Sequence, residues 1–268
     1  MEKQIGFIGA GNIAKTIING LTANFQEINK NIYITNRSKG KGESLRNKFQ
    51  VNLCHTNIEL VKNCDIIFLC VKPDVSKLVL REIKDHVRDD QLIISVIAGV
   101  TIDDIMKYFE QPKKVIRTMP NIPVVVREGM IALSGSNEVS DDDLNLAIDL
   151  LSSIGRVDVI EEKMMDVVTG ISGCSPAFLS IFVEALADGA VLQGMPRDKA
   201  YQYIAQTLVG TGKMILEEEI HPAEIKDTVS SPGGITIAGV YALEKRGFRS
   251  TVMEVMEACD EKLKALRR

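Results

Sequence analysis

Residues 5–14 read Ile5-Gly6-Phe7-Ile8-Gly9-Ala10-Gly11-Asn12-Ile13-Ala14, an apolar run that breaks into glycines and resumes with helical spacing. A G-x-G-x-x-[GA] pattern is informative when it follows a strand and opens a helix, and this one does both. Gly9 permits the tight turn, Gly11 lets a pyrophosphate approach the backbone, and the small Ala14 lets helix and sheet pack closely. Backbone amides and the positive end of the helix then face the phosphates. An ordinary glycine turn is the alternative; the setting within a strand–helix–strand unit favours a bound dinucleotide.

The same alternation extends outward from this turn. Runs rich in β-branched residues at 4–9, 31–35, 65–71, 91–97 and 114–118 alternate with helical spacing at 12–25, 41–49, 74–87 and 102–109. Parallel neighbours need crossover connections, so the pattern predicts a doubly wound parallel sheet. Two further strands, at 129–134 and 156–160, flank a helix with Ser140 as expected N-cap and Asp141, Asp142 and Asp143 in its first turn. From about Glu161 the β-rich runs stop and segments rich in Ala, Leu, Met and Glu take over. Helices are predicted from about 163 and over 176–193, 197–218, 222–229, 235–246 and 249–266. The expected domains are therefore an α/β domain at 1–160 and an all-α domain at 161–268. Residues 178–192, FLSIFVEALADGAVL, are apolar around most of the helix and include small residues, so a packed bundle or a second subunit must cover them.

Composition narrows the function classes. At 268 residues, 45% apolar and 25% charged, the chain can bury a core without disulfide or metal staples. Its 32 basic and 36 acidic residues leave a net charge of −4, which disfavours a chain-wide nucleic-acid surface. Cys54, Cys64, Cys70, Cys174 and Cys259 are odd in number and lack C-x-x-C spacing, as expected of reduced thiols in a cytoplasm. The amino terminus lacks the pattern of a secretory signal, and no uninterrupted apolar run reaches ~18 residues, so no membrane partner is expected. His55, His86 and His221 are scattered and read as solvated or capping residues, with no metal site.

The second strand ends in Thr35-Asn36-Arg37-Ser38-Lys39, where dinucleotide folds usually carry a carboxylate for the adenosine ribose. A carboxylate would repel a 2′-phosphate, whereas Asn36, Arg37 and Ser38 can donate to one, so NADPH is preferred and NADH stays possible. Arg37 also has a plainer reading as a solvated loop cation. Val71-Lys72-Pro73 and Ile97-Ala98-Gly99 lie at strand ends, where open α/β sheets bind ligands. Lys72 there orients a phosphate or ribose, or merely caps a loop; Ala98 leaves room for a nicotinamide.

Hydroxyacid dehydrogenases of related build resemble one another in placing a lysine on the helix after the nucleotide domain. Here no lysine occurs between Lys163 and Lys199, and the corresponding position is Ala177. Reduction of a C=N bond tolerates that deficit, because an iminium arrives with its proton. Between two predicted helices, Ser230-Ser231-Pro232-Gly233-Gly234-Ile235-Thr236 offers exposed amides for a carboxylate and a hydroxyl, on Thr236, for a substrate nitrogen or carboxylate. The plainer reading is a helix-linking turn capped by Ser231.

Val229 to Gly239, VSSPGGITIAG, closely resembles the carboxy-terminal signature of the pyrroline-5-carboxylate reductase family. The likeness extends through Gly9 to Ala14, Val71-Lys72-Pro73, Met119-Pro120-Asn121, Val124 to Gly129, Ala185 to Gly189 and Gly247 to Ser250, across essentially the whole chain. This resemblance implies a Rossmann-type doubly wound domain followed by an all-α dimerisation domain, and NAD(P)H-dependent reduction of 1-pyrroline-5-carboxylate to L-proline, the last step of proline biosynthesis. It implies cofactor contacts at Gly9, Ala10, Gly11, Asn12, Ile13, the Asn36 region, Asn57, Val71, Lys72, Pro73 and Ala98. It also implies substrate contacts at Glu162, Ser231, Gly234, Ile235 and Thr236, with Gly233 contributing to the amide cradle. Thr236 is the candidate catalytic residue. A homodimer or a ring of dimers is expected. The chain departs from the family in reading Ser172-Gly173-Cys174-Ser175-Pro176-Ala177 where many relatives read Ser-Gly-Ser-Gly-Pro-Ala, and in Thr228 where Asn is common. Serine at 175 is expected to act as a tolerated N-cap. The rival functions are a reductase of another cyclic imine or small carbonyl compound, and a non-catalytic nucleotide-sensing paralogue.

Overall fold

The computed structural model describes residues 3–266. Eight strands, β1 (Ile5–Ile8), β2 (Ile32–Thr35), β3 (Asn52–Leu53), β4 (Ile66–Leu69), β5 (Leu92–Ser95), β6 (Lys114–Pro120), β7 (Gly129–Gly135) and β8 (Gly155–Val159), make one sheet in the order 3-2-1-4-5-6-7-8. Pairings from β3 to β6 are parallel, β7 runs antiparallel to β6, and β8 is parallel to β7. The expected doubly wound parallel sheet is present, with β7 as an antiparallel member whose direction the sequence did not give away. Only a short 3₁₀ turn, Ile122–Val126, joins β6 to β7, and a parallel return needs a longer crossover.

Six helices accompany the strands: α1 (Asn12–Asn24), α2 (Lys39–Phe49), α3 (Asn57–Asn63), α4 (Pro73–Ile83), α5 (Ile102–Met106) and α6 (Asp141–Ser152). Every residue of β1, β4 and β5 is buried, as expected of strands covered on both faces. One core, around Phe7, Ile17, Ile18 and Phe68, covers one face, and another, around Ile8, Leu60, Leu69 and Ile93, covers the other. Phe7 and Phe68 stack at 4.7 Å between ring centroids, and each contributes about 1.5–3 kcal/mol by burial. Ser140 caps α6 as its sequence predicts: its hydroxyl accepts from the Asp143 amide at 3.2 Å, and the Asp143 carboxylate accepts from the Ser140 amide at 3.2 Å. Burial alone would raise the Asp143 pKa, but hydrogen bonds from Ser140 and Lys114 hold it below the usual carboxylate range.

The chain divides into two compact units, one running to Gly173 and taking in the chain from Leu263, the other Cys174–Lys262. Composition changes at Glu161, yet the segment beyond it belongs with the sheet because charge ties it there. Arg117 of β6, its side chain only 5% exposed, pairs with Glu162 at 3.0 Å and Asp166 at 3.7 Å. A short α7 (Met165–Val168) then leads into a π-helical segment, Thr169–Cys174, and straight on into α8 (Ser175–Leu192). The π-helical entry corrects the expectation for Ser175: α8 has no free end there for its hydroxyl to cap.

The second unit holds α8, α9 (Arg197–Leu216), α10 (Pro222–Thr228), α11 (Ile235–Lys245) and, as far as Lys262, α12 (Phe248–Leu266). Among the described residues its fully buried apolar side chains are Ala187 and Ala200. No residue of α11 is buried, and Ile235 is 95% and Leu192 90% exposed. By length and composition the continuous helical stretch Glu162–Leu192 could cross a membrane, an outcome that counting uninterrupted apolar runs did not anticipate.

Candidate active site

The strand order reverses direction at β1, with β2 on one side and β4 on the other, and open α/β sheets bind ligands beyond the strand tips at such a point. There Gly9 adopts φ +102°, and a Cβ on it would lie 2.5 Å from the Cys70 carbonyl oxygen. Glycine is thus required by both conformation and space. A Cβ at Gly11 would meet nothing within 4 Å, so the turn is open on its outer side.

The backbone divides the predicted cofactor residues into two groups. The Gly9 amide donates to the Thr35 carbonyl at 3.0 Å and the Ala10 amide to Asn36 Oδ1 at 3.1 Å, so these residues fasten the turn to the end of β2. The first helical bond of α1 runs from Lys15 to Gly11 at 3.0 Å. The amides of Gly11, Asn12 and Ile13 precede it and point out of the helix start. Gly11 is the N-cap and brings no side-chain hydrogen bond of its own, which leaves that helix end to an anion.

A cleft of about 250 Å³ opens beside the turn, lined by Gly9, Ala10, Gly11, Asn36, Arg37, Asn57, Cys70, Val71 and Lys72 among others. Arg37 and Lys72 are its charged lining residues, and no carboxylate lines it among the described residues. Thr35 donates its hydroxyl to Asn57 Oδ1 at 2.7 Å, and Asn57 donates to Glu82 at 2.8 Å, so Asn57 is fixed in place. Asn36 donates to the Ser38 carbonyl at 2.9 Å, which engages part of its donor capacity. Ser38 itself is exposed at the start of α2. Pro73 is the first residue of α4, and Ala98 lies exposed in the turn after β5; neither lines the cleft. A dinucleotide with phosphate groups fits this set: an open glycine turn, an uncapped helix start and two cations. Burial pushes the Cys70 thiol up, so it is a packing group.

The second predicted cluster lies between α10 and α11. Gly233 takes φ +70°, and the Gly234 amide donates to the Ser231 carbonyl at 3.0 Å. A Cβ at Gly234 would sit 2.3 Å from Ser231 Oγ. α11 starts at Gly234 with no side-chain cap, which corrects the reading of a turn capped by the Ser231 hydroxyl. The first helical bond runs from Ala238 to Gly234 at 3.4 Å, so the amides of Ile235, Thr236 and Ile237 are left to solvent or a ligand. Gly234's own amide is engaged, which moves the amide cradle one residue along the chain. The Thr236 hydroxyl stands exposed in the first turn.

Glu162 belongs to the first unit, where its Oε1 accepts from Arg117 and, at 2.8 Å, from the Ile102 amide. Sequence reasoning missed Arg117 as its partner; a basic residue in a strand otherwise filled with buried positions was the available signal. It also missed Asn121, which donates to Ser172 Oγ at 3.1 Å and accepts from the Met130 amide at 2.9 Å, tying the π-helical segment to β7. His221 caps α10 through Nδ1, which accepts from the Ala223 amide at 3.2 Å.

Uncapped helix starts are found at both predicted ligand clusters. Residues 162–266 match the family described as pyrroline-5-carboxylate reductase dimerisation, and residues 4–99 match NADP oxidoreductase, coenzyme F420-dependent. The chain is 42% identical to pyrroline-5-carboxylate reductase of Escherichia coli over 99% of each sequence. Its fold is similar to a pyrroline-5-carboxylate reductase from Coxiella burnetii, with TM-score 0.93, 32% identity and all of each chain covered. It is also similar to the NADP-bound pyrroline carboxylate reductase of Plasmodium falciparum, with TM-score 0.88, 33% identity, and 100% and 99% of the two chains covered. Identity at this level along the full length, across the glycine turn and the helical signature alike, makes the chain a member of the pyrroline-5-carboxylate reductase family.

Proposed function

We propose that the chain reduces 1-pyrroline-5-carboxylate to L-proline, the closing step of proline biosynthesis, with NADPH as its preferred reductant. The full-length match to the Escherichia coli enzyme carries the activity; the cations of the cleft support the cofactor preference. NADPH, when bound, supplies the hydride that saturates the C=N carbon.

The chain's own residues bind and orient. The amides of Gly11, Asn12 and Ile13 hold the pyrophosphate, while Gly9 and Ala10 keep the turn in shape. Arg37, with Asn36 and Ser38, receives the 2′-phosphate, and Lys72 meets a phosphate or ribose oxygen. Asn57, Val71, Pro73 and Ala98 frame the cofactor. The amides of Ile235 and Thr236, in the loop shaped by Ser231, Gly233 and Gly234, bind the substrate carboxylate, and the Thr236 hydroxyl orients the ring nitrogen. Glu162, held by Arg117, completes the substrate contacts as a positioning group. Holding donor and acceptor in near-attack contact accounts for about 7–11 kcal/mol of barrier lowering in favourable systems, so geometry dominates.

The dimerisation family match and the apolar exposure of α8 and α11 support a homodimer or a ring of dimers. On this reading the apolar stretch Glu162–Leu192 meets a second copy of the chain in the cytoplasm. The test is NADPH oxidation dependent on added 1-pyrroline-5-carboxylate, run in parallel with NADH. Turnover with either nucleotide and formation of proline support the activity, and a higher kcat/KM with NADPH supports the preference. Cofactor binding without turnover would point to the non-catalytic paralogue.

A further inference from the structure

Resting on the reading that the cleft beside the glycine turn takes a dinucleotide, we infer that Glu82 is a positioning residue for that nucleotide. It fixes which end of the Asn57 amide is free for the ligand, and so makes Asn57 a hydrogen-bond donor in the cleft. Three elements meet at this side chain. Asn57 is the first residue of α3, is half-buried and lines the cleft. Thr35, at the end of β2 and only 3% exposed, donates its hydroxyl to Asn57 Oδ1 at 2.7 Å. Asn57 Nδ2 in turn donates to Glu82 Oε2, on α4, at 2.8 Å. Val75 and Val79 of α4 line the cleft, and Glu82 follows them at helical spacing on the same face.

The two partners of Asn57 differ in what they permit. A threonine hydroxyl can donate or accept, so Thr35 tolerates the amide in either orientation. An ionised carboxylate only accepts. With the amide turned over, Asn57 Oδ1 would face Glu82 Oε2, acceptor against acceptor. Glu82 alone therefore selects the orientation seen. In that orientation Thr35 engages Oδ1, Glu82 takes one Nδ2 hydrogen, and the second Nδ2 hydrogen remains for an acceptor atom of the nucleotide.

The charge of Glu82 works in the opposite direction. A carboxylate close to a polyanion opposes its binding by Coulomb repulsion. If Glu82 were only a surface charge, removing it would leave NADPH affinity unchanged or raise it; if Glu82 orients Asn57, removing it lowers the affinity.

The test is calorimetric titration of the full chain with NADPH, without substrate, for wild type, Glu82→Ala, Glu82→Gln, Asn57→Ala and the double variant Glu82→Ala with Asn57→Ala. Glu82→Ala should bind NADPH about fivefold more weakly, the scale of one net hydrogen bond. Glu82→Gln should lose less, because a glutamine amide still offers an acceptor but no longer excludes the turned-over Asn57. Asn57→Ala should lose about tenfold, and adding Glu82→Ala to it should cost nothing more. Glu82→Ala binding as tightly as wild type, or more tightly, overturns the positioning role, as does an undiminished loss in the Asn57→Ala background. If Glu82→Ala fails to fold, Glu82→Gln is held to the same two criteria. A folded wild type that binds neither NADPH nor NADH overturns the dinucleotide reading and the role of Glu82 together, whereas wild-type binding with no loss in the Glu82 variants overturns the role of Glu82 alone.

Discussion

The sheet unit and the helical unit solve the burial problem differently. In the sheet unit Phe7, Ile17, Phe68 and Ile94 are wholly buried, and each face of the sheet has its own core. In the helical unit the side chains of Ile181, Tyr203, Tyr241 and Met253 all remain mostly exposed. The hydrophobic effect scales with the apolar area removed from water, so the first unit draws its stability from within one chain. The second leaves much of its apolar area on the surface.

The largest effect expected to sharpen this contrast comes from Phe68→Ala. Loss of a fully buried ring stacked on Phe7 should cost about 3–5 kcal/mol, read as a lower urea midpoint that does not depend on protein concentration. Thr236→Ala should lower kcat/KM roughly 10²–10³-fold while NADPH binding and the far-UV spectrum stay unchanged. Unaltered kinetics would remove Thr236 from the chemistry and leave the helical unit with an assembly role only. Ile181→Arg places a charge on an exposed apolar face of α8 and should weaken self-association by about 2 kcal/mol or more, roughly thirtyfold, as seen by sedimentation over a concentration series. If the oligomer is unmoved, that face is not the contact and the contrast needs redrawing.

Two smaller effects probe the sheet unit alone. Arg37→Ala should weaken NADPH binding by about 1.5 kcal/mol, close to tenfold, and leave NADH binding unchanged. Equal losses for both nucleotides would refute contact with the 2′-phosphate. Ser140→Ala should cost about 1 kcal/mol by uncapping α6. Because Asp143 has a lower pKa folded than unfolded, its contribution is present above about pH 4 and lost as pH falls from there through the folded value. The variant should therefore show a smaller loss of stability over that acid range.

Much of the first unit was legible because its signals are local. The glycine turn, the β-branched runs and the Ser140 cap each depend on a few neighbouring residues. β3 escaped because two residues are too short for a periodicity to register. The direction of β7 was missed because it depends on the length of its connection to β6 rather than on its own composition. At the site, residue types pointed to the glycine turn and to Gly233–Thr236, but the way their amides are divided could not be read from letters. That the amides of Gly9 and Gly234 are held by backbone carbonyls and that of Ala10 by the Asn36 side chain, while Gly11, Ile235 and Thr236 are open, follows only from the folded chain. The ion pairs of Arg117 escaped for the same reason, since Glu162 lies 45 residues further along the sequence.

The two borders of the eight-stranded sheet are poor templates for adding another strand. One is β3, only two residues long, and the other is β8, where Arg156 and Asp158 stand exposed among the apolar positions. Short or charged margins discourage ribbon-to-ribbon stacking of copies, the route by which β-rich proteins precipitate. Recruitment of a ninth strand from another copy is thereby discouraged at either margin.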